Sequence, residues 1–221
     1  NRQLASFEGG QAGLFDLDRQ ILQENLYGVD LNAESVEITR LSLWLKTART
    51  DRPLSNLDQT IRVGDSLVVP PEPGDAIEVD FDALPAATRE RAFDWHAAFP
   101  EVFGGDTGGD GQAAADPLPG GFDCVLGNPP YVRAEWFTDL KPYLMEAFDV
   151  YHGSADLYAY FVERGARLLA PGGKLAYIVS NKWMRAGYGE PLRAFLAAHT
   201  VAETVLDFGH APVFEDADTF P

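Results

Sequence analysis

The spacing of apolar residues along the chain predicts alternating strands and helices. Short apolar runs predict five strands, at residues 26–30, 60–64, 122–127, 174–180 and 201–207. Apolar residues at helical spacing predict helices over residues 33–48, 156–169 and 191–199. Strands that alternate with helices are typical of parallel sheets. We therefore expect an α/β fold with a doubly wound, mostly parallel sheet.

The regular pattern fails between about residues 68 and 121, which read as an irregular acidic insertion. Prolines begin this stretch and glycines end it, residues 86–98 have helical spacing, and residues 104–120 are expected to form a surface loop. Five side chains suggest that part of the insertion docks on the core: Phe93, Trp95, Phe99, Val102 and Phe103. The length of 221 residues fits one domain that includes this insertion.

The balance of charges is strongly acidic. Lys and Arg number 17 against 34 Asp and Glu, which gives a net charge of −17 at neutral pH. Proteins that bind duplex DNA usually neutralise phosphates with Lys and Arg, so this chain alone is expected to bind DNA poorly. Two origins of such a surface stay open. One is a salt-accumulating organism, in which screening makes self-repulsion tolerable, and the other is an acidic protein from an organism with GC-rich DNA.

Two features bear on the compartment. No apolar run approaches the roughly 20 residues that span a bilayer, and residues 1–6 lack the apolar core of a secretory signal. The single cysteine, Cys124, excludes a disulfide framework and a cysteine-rich metal site. We therefore expect a cytoplasmic protein without a membrane segment, a disulfide partner or a metal site.

Carboxylates follow the first two predicted strands. Asp30 ends the first strand, and Asn32 is a suitable N-cap for the helix after it. An acid at this position commonly accepts hydrogen bonds from the two ribose hydroxyls of a bound nucleoside. Asp65 follows the second strand within Gly64-Asp65-Ser66, which is also an ordinary turn sequence. Asp30 is therefore the stronger candidate for nucleoside binding, although capping of the helix is the alternative for it.

The most unusual chemistry follows the third predicted strand, in Asn128-Pro129-Pro130-Tyr131. Residues 122–127 read as a buried central strand, and Gly127 ends it where the backbone is expected to turn sharply. The two prolines restrict the backbone of the loop. The loop thus holds two acceptors at a fixed separation, the side-chain carbonyl of Asn128 and the backbone carbonyl of Pro129.

Two such acceptors suit a planar amino group such as that of adenine. The adenine amino nitrogen is a weak nucleophile because its lone pair is delocalised into the ring. Acceptors on both of its N–H bonds favour a pyramidal nitrogen, which can attack an electrophilic methyl group without a strong base. Tyr131 offers an aromatic face on which an extruded base can stack. A proline-rich turn after a strand is the simpler alternative.

An Asn-Pro-Pro-Tyr loop after an apolar strand resembles motif IV of the DNA adenine-N6 methyltransferases, which use S-adenosylmethionine. Other segments resemble further motifs of these enzymes in the proper order: residues 27–32 (motif II), 60–67 (motif III), 171–184 (motif VI) and 207–214 (motif VIII). The resemblance implies a Rossmann-like class I methyltransferase fold. It also implies a place within a larger restriction-modification or phage-defence protein.

The resemblance also implies roles for particular residues. The catalytic loop is Asn128, Pro129, Pro130 and Tyr131, and the cofactor contacts are Asp30, Leu31, Asp65, Ser66 and Asn128. Tyr131 and Phe214 cover the two faces of the extruded adenine, with a core phenylalanine as the alternative for Phe214. We expect Asp30, Asp65 and Asn128 at one carboxyl edge of the sheet.

Two parts of such an enzyme are expected outside this sequence. The glycine-rich motif I is expected before Asn1, and a target-recognition domain that binds double-stranded DNA is expected beyond residue 221. Two other functions stay open. One is methylation of a glutamine amide in a protein, because release-factor glutamine methyltransferases carry a similar Asn-Pro-Pro-Tyr loop, and the other is a non-catalytic scaffold that has lost cofactor binding. Residues 181–183, residues 207–209 and the long insertion favour DNA as the substrate.

Overall fold

A computed structural model describes residues 17, 20–47, 56–71, 80–104 and 120–209. The chain divides into two compact units. The first unit comprises residues 1–68 and 91–93, and the second comprises residues 69–90 and 94–221. Within the described residues, each unit contains one pair of parallel strands.

The first unit is built on two short strands, β1 (Gly28–Asp30) and β2 (Ile61–Val63). Gly28 pairs with Ile61 and Asp30 with Val63, so both strands end at the same edge. Helix α1 (Ala33–Thr47) follows β1 and packs on both strands, and a short π-helical turn (Ile21–Asn25) precedes β1. The first two predicted strands and the first predicted helix are therefore confirmed, with slightly shorter bounds.

Asn32 begins α1, as the sequence predicted. Its side-chain Oδ1 accepts hydrogen bonds from the backbone N–H groups of Glu34 (2.8 Å) and Ser35 (3.1 Å), which satisfies two of the unpaired donors at the helix start. The core beneath α1 contains Leu22, Val36, Leu57 and Ile61, with Leu43 and Trp44 packed partly buried against it.

Residues 91–93 of the insertion complete the first unit. The backbone N–H of Asp65 donates to the carbonyl of Arg91 (2.6 Å), which holds this segment beside the end of β2. The ring of Phe93 covers Gly64 so closely that a Cβ on Gly64 would lie 2.4 Å from it. The insertion therefore contributes the buried ring of Phe93 to the first unit.

The second unit is built on the parallel strands β3 (Phe122–Gly127) and β4 (Leu169–Tyr177). Its helices are α2 (Ala86–Arg89), α3 (Trp95–Ala98), α4 (Pro100–Phe103), α5 (Lys141–Ala147), α6 (Tyr158–Arg167) and α7 (Glu190–His199). Single turns of 3₁₀ helix occur at Phe81–Ala83, Ala134–Trp136, Thr138–Leu140, Asn181–Met184 and Gly187–Gly189. The helices predicted at 156–169 and 191–199 are confirmed as α6 and α7, whereas the helical spacing of residues 86–98 corresponds to the two short helices α2 and α3.

Strand β4 begins and ends earlier than the predicted strand at 174–180. Leu169 pairs with Phe122 and Lys174 with Cys124, so between these two pairs the chain advances five residues along β4 but only two along β3. The extra residues include Gly172, whose φ of +83° is in the left-handed region that favours glycine. The Pro-Gly-Gly sequence therefore coincides with an irregularity in the pairing, and regular pairing resumes at Lys174, where the strand was predicted to begin.

Two further predictions about strands are wrong. Residues 201–207 form no strand and are exposed, because an apolar pattern becomes a strand only with a partner that completes the hydrogen-bond ladder, and no described strand forms that ladder with them. β3 was predicted to be buried, but Cys124 is exposed and Leu126 is 73% exposed. Among the described residues, β3 has β4 as its one neighbouring strand.

The described chain is thus a mixed structure of helices and short parallel strand pairs, which is compatible with an α/β methyltransferase fold. The Rossmann-like, doubly wound sheet and the single-domain organisation stay predictions. None of the helices in the described residues is both long enough and apolar enough to cross a membrane.

Candidate active site

The Asn-Pro-Pro-Tyr loop leaves the carboxyl end of β3 beside the end of β4. The backbone N–H of Ile178 donates to the carbonyl of Gly127 (3.1 Å), so the two strand ends are joined where the loop begins. Gly127 is the last residue of β3, as predicted, and its φ is not in the left-handed region, so the backbone conformation does not require a glycine here. A Cβ at Gly127 would lie 2.6 Å from the ring of Tyr177. Close packing of that ring explains the glycine.

The Tyr177 ring also contacts helix α6. A Cβ at Gly165 would lie 2.6 Å from the Tyr177 hydroxyl, so both glycines make room for one aromatic side chain. Burial raises the pKa of Tyr177 to about 12, because ionisation would place a charge away from water. This ring therefore ties β3, β4 and α6 together beneath the loop.

The loop presents Asn128 to solvent and buries the residue after it. Asn128 and Pro130 are exposed, whereas Pro129 is buried. The Asn128 side chain makes no hydrogen bond with the part of the chain that the structure describes. Its amide group is thus accessible to a ligand, which fits the catalytic role predicted from the sequence.

Tyr131 is held in place by its hydroxyl. This hydroxyl donates a hydrogen bond to the carbonyl of Ile178 (3.1 Å), which follows β4. The ring is 52% exposed, and its centroid lies 6.2 Å from that of Tyr158 at the start of α6. Burial raises the pKa of Tyr131 above its ordinary value, which already leaves the hydroxyl neutral and able to donate at physiological pH. A fixed and half-exposed ring is suited to stacking on a base.

A carboxylate that the sequence did not single out lies beside the loop. The backbone N–H of Leu157 donates to the carbonyl of Val132 (2.9 Å), which brings Asp156 next to the residues that follow Tyr131. Burial raises the pKa of Asp156, while the positive charges of Lys182 and Arg133 oppose that effect. The one sequence signal is an acid before the aromatic start of α6, and this is equally usual at helix N-termini.

The two predicted carboxylates of the first unit lie at one carboxyl edge. Asp30 ends β1, and the backbone N–H of Gly64, directly after β2, donates to the Asp30 carbonyl (3.0 Å). The Asp30 side chain is exposed, and its Oδ1 accepts a hydrogen bond from the backbone N–H of Asn32 (2.7 Å). It does not cap α1, because Asn32 does.

Asp65 uses its carboxylate to hold a turn. Its Oδ1 accepts hydrogen bonds from the backbone N–H groups of Leu67 (2.9 Å) and Val68 (3.3 Å). The half-buried Asp65 side chain therefore stabilises an ordinary turn, which was the alternative that the sequence left open. Ser66 is half-buried and Leu31 is exposed.

Two predictions about the site residues are not tested by the described structure. Phe214 falls outside the described residues. A single edge shared by Asp30, Asp65 and Asn128 stays a prediction, since the first two belong to one unit and Asn128 to the other.

Comparison with known proteins gives the family. The model of the Eco57I restriction-modification methylase family matches residues 24–214. The chain belongs to this family. The matched range contains Asp30, Asp65, Asn128, Tyr131 and Phe214, so every segment that suggested the methyltransferase motifs lies inside the region shared with Eco57I-type methylases.

Individual relatives of this Eco57I-family chain are also named as methyltransferases. The type II methyltransferase M.PaeR7I of Pseudomonas aeruginosa is 38% identical over 109 residues, which cover 48% of this chain and 19% of the relative. M.XhoI of Xanthomonas vasicola is 45% identical over 82 residues, which cover 37% of this chain and 15% of the relative. The type II restriction enzyme and methyltransferase RM.Eco57I of Escherichia coli is 26% identical over 221 aligned residues, 93% of this chain and 19% of the relative. The chain therefore spans less than a fifth of the length of these relatives.

Proposed function

We propose that this chain is part of a DNA methyltransferase that transfers a methyl group from S-adenosylmethionine to the N6 amino group of adenine, within a larger restriction-modification protein. The observation that carries the proposal is the loop after β3, where the accessible amide of Asn128 stands beside the fixed ring of Tyr131. The words restriction and modification in the names of the family and of its relatives support DNA as the substrate.

The loop residues act on the target base. Asn128 Oδ1 and the carbonyl of Pro129 accept hydrogen bonds from the two N–H groups of the adenine amino group. These hydrogen bonds concentrate the lone pair of the amino group on its nitrogen. The same acceptors stabilise the positive charge that develops on this nitrogen during transfer, and they need little reorganisation because the prolines restrict the loop. Tyr131 stacks on the extruded base and limits its rotation.

The first unit carries groups that fit the cofactor. When bound, S-adenosylmethionine supplies an electrophilic methyl group. Asp30 is exposed at the end of β1 with one carboxylate oxygen on the Asn32 N–H, so the other can accept hydrogen bonds from ribose hydroxyls. Leu31 offers exposed apolar surface next to it. Asp30 and Leu31 would hold the nucleoside part, whereas Asp65 already binds two backbone N–H groups.

Replacement of Asn128 tests the proposed chemistry. In the full-length protein, Asn128→Ala should lower the single-turnover rate of DNA methylation by about 100-fold or more, because it removes a preorganised acceptor. Binding of S-adenosylmethionine, measured by calorimetry, should change much less. Asn128→Asp should be less damaging, since a carboxylate still accepts hydrogen bonds. A matched control is Asn25→Ala, an exposed asparagine before the amino end of β1, and it should leave the rate unchanged.

The identity of the methylated product separates this proposal from its alternatives. Nucleoside analysis of DNA treated with the wild-type protein should show N6-methyladenine. Methyl groups on protein glutamine instead would support the glutamine methyltransferase. A full-length protein that does not bind S-adenosylmethionine would support the scaffold. Near-normal turnover by Asn128→Ala would contradict the assignment of the catalytic loop.

A further inference from the structure

The acidity of the chain is unevenly distributed. From Arg164 to Gly189 the sequence has no Asp or Glu and five basic residues, although the whole chain carries a net charge of −17. The five are Arg164, Arg167, Lys174, Lys182 and Arg185. This acid-free stretch runs from α6 through β4 into the segment that follows the Tyr131 anchor at Ile178.

The first three of these cations have partners within the fold. Arg167 pairs with Glu163 (2.6 Å) and Asp149 (2.8 Å). Lys174 pairs with Glu203, and the Arg164 guanidinium lies 5.0 Å from the centre of the Phe148 ring. Lys182 and Arg185 differ, because both are exposed and neither forms an ion pair with a described residue.

Arg133 joins these two cations from the other side of the loop. It is exposed, lies two residues after Tyr131, and forms no ion pair in the part of the chain that the structure describes. Arg133 and Lys182 both lie close enough to Asp156 to oppose the rise in its pKa. The hydrogen bond from Tyr131 to Ile178 also joins the segment of Arg133 to the segment that leads to Lys182.

An exposed tryptophan accompanies the cations. Trp136 is 79% exposed, and its backbone N–H donates to the carbonyl of Arg133 (2.9 Å), so both residues belong to one short turn. We name Arg133, Trp136, Lys182 and Arg185 the basic–aromatic surface. Cations interleaved with an exposed aromatic ring are typical of surfaces that bind a nucleic-acid strand.

The acidic groups near this surface are Asp156, Glu135 and Asp207. Asp207 Oδ1 accepts a hydrogen bond from the backbone N–H of Gly209 (2.9 Å), so this carboxylate is engaged by a protein donor. Asp156 is half-buried, and Glu135 is exposed. At physiological salt, screening limits the influence of exposed charges to about 8 Å, so the local cations matter more to a nearby phosphate than the distant acidic residues do.

We propose that the basic–aromatic surface binds the DNA strand that flanks the extruded adenine. Arg133, Lys182 and Arg185 contact its phosphates, and Trp136 stacks on a neighbouring base. The inference rests on the proposed function. It modifies the sequence-based expectation that this acidic chain contributes little to DNA binding. It assigns contacts next to the reacting base to this chain, and leaves most of the phosphate contacts to other parts of the protein.

The salt dependence of DNA binding by the full-length protein tests this surface. The probe is a duplex of about 30 base pairs that carries the sequence methylated by the wild-type protein, mapped first by sequencing modified plasmid DNA. Each lost phosphate contact should reduce the slope of log K against log salt by about 0.9. For Arg133→Ala/Lys182→Ala/Arg185→Ala the slope should fall by about 2.7, so that between 50 and 200 mM salt the wild type loses about 40-fold more affinity than the variant. Trp136→Ala should weaken binding by about fivefold or more, equally at each salt concentration.

A matched pair of lysines provides the control. Lys182→Ala and Lys174→Ala each remove one exposed lysine from the acid-free stretch, but Lys174 is paired with Glu203 and lies within β4, whereas Lys182 follows the strand. Only Lys182→Ala should reduce the slope. Equal slopes for Lys182→Ala, the triple variant and the wild type would overturn the inference, as would an equal effect of Lys174→Ala. Unchanged S-adenosylmethionine binding by the variants shows that they are folded, and methylation of adenine by the wild type tests the proposed function separately.

Discussion

Replacement of Glu163 tests the packing that supports the candidate site. Glu163 is fully buried in α6 and accepts hydrogen bonds from two backbone N–H groups, of Asp149 (3.1 Å) and Val150 (2.8 Å). Its Oε1 also binds the Nε (2.7 Å) and Nη2 (2.6 Å) of Arg167. The same helix begins with Tyr158, whose ring lies near that of Tyr131. Glu163 therefore joins the segment before α6 to the helix that supports the candidate catalytic loop.

The size of the effect follows from these contacts. Glu163→Gln keeps the volume but puts an NH₂ group where donors now point, and it leaves Arg167 without its buried partner. Breaking a buried ion pair by removing one member costs about 3–5 kcal/mol. Arg167 is 44% exposed and keeps its ion pair with Asp149, so its charge stays partly compensated, and we expect the lower end, about 3 kcal/mol.

Hydrogen exchange measured by mass spectrometry on the full-length protein can localise this change. A loss of about 3 kcal/mol corresponds to exchange that is about 100-fold faster in peptides covering residues 148–168. Glu146→Gln is the matched control, because Glu146 is an exposed carboxylate on α5. If exchange in Glu163→Gln stayed within a few-fold of the Glu146→Gln value, the buried carboxylate would not anchor this segment and the reasoning would be refuted.

Three further predictions concern the strand ends and the helix beneath the loop. Gly127→Ala should displace the Tyr177 ring and lower both stability and methylation rate, whereas Gly187→Ala, where a Cβ meets open space, should be nearly neutral in thermal unfolding and activity assays. Tyr177→Phe should remove one cause of alkaline unfolding: the pKa of Tyr177 is raised to about 12, so its contribution to stability is complete below about pH 10 and is lost towards pH 12. A titration of stability against pH should thus fall less steeply for the variant between pH 10 and 12, and equal slopes would count against burial of this hydroxyl. Asp30→Ala should weaken S-adenosylmethionine binding in calorimetry by more than Asp65→Ala does, and the reverse order would exchange their proposed roles.

Features that depend on neighbouring residues were predictable from the sequence. The spacing of apolar residues located α1, α6 and α7 because helical hydrogen bonds join residues four apart. The Asn32 cap was predictable for the same reason, since its side chain binds N–H groups two and three residues later. β1 and β2 were also found close to their predicted places.

Features that depend on distant partners were not predictable in the same way. The Pro-Gly-Gly sequence reads as a break before the strand, and β4 extends in front of it because Leu169 pairs with Phe122, far away in the chain. Residues 201–207 have the apolar content of a strand, but no described strand is hydrogen-bonded to them. A strand requires a second segment for its hydrogen bonds, and local sequence does not specify that segment.

The amino-acid sequence by itself supplied the candidate chemistry and the family. The Asn-Pro-Pro-Tyr loop carries its candidate acceptors, its restricted backbone and its aromatic ring within four consecutive residues, and the ordered motifs indicated a restriction-modification methyltransferase, which the comparison then confirmed as the family. The tertiary structure alone decided how this loop is supported. It showed that Gly127 makes room for Tyr177, and that Tyr131 is fixed by Ile178. It also brought Asp156 next to the residues that follow Tyr131, through the hydrogen bond from the Leu157 N–H to the Val132 carbonyl. The physical reason is that such contacts join residues tens of positions apart, and only packing of the chain determines which of them meet.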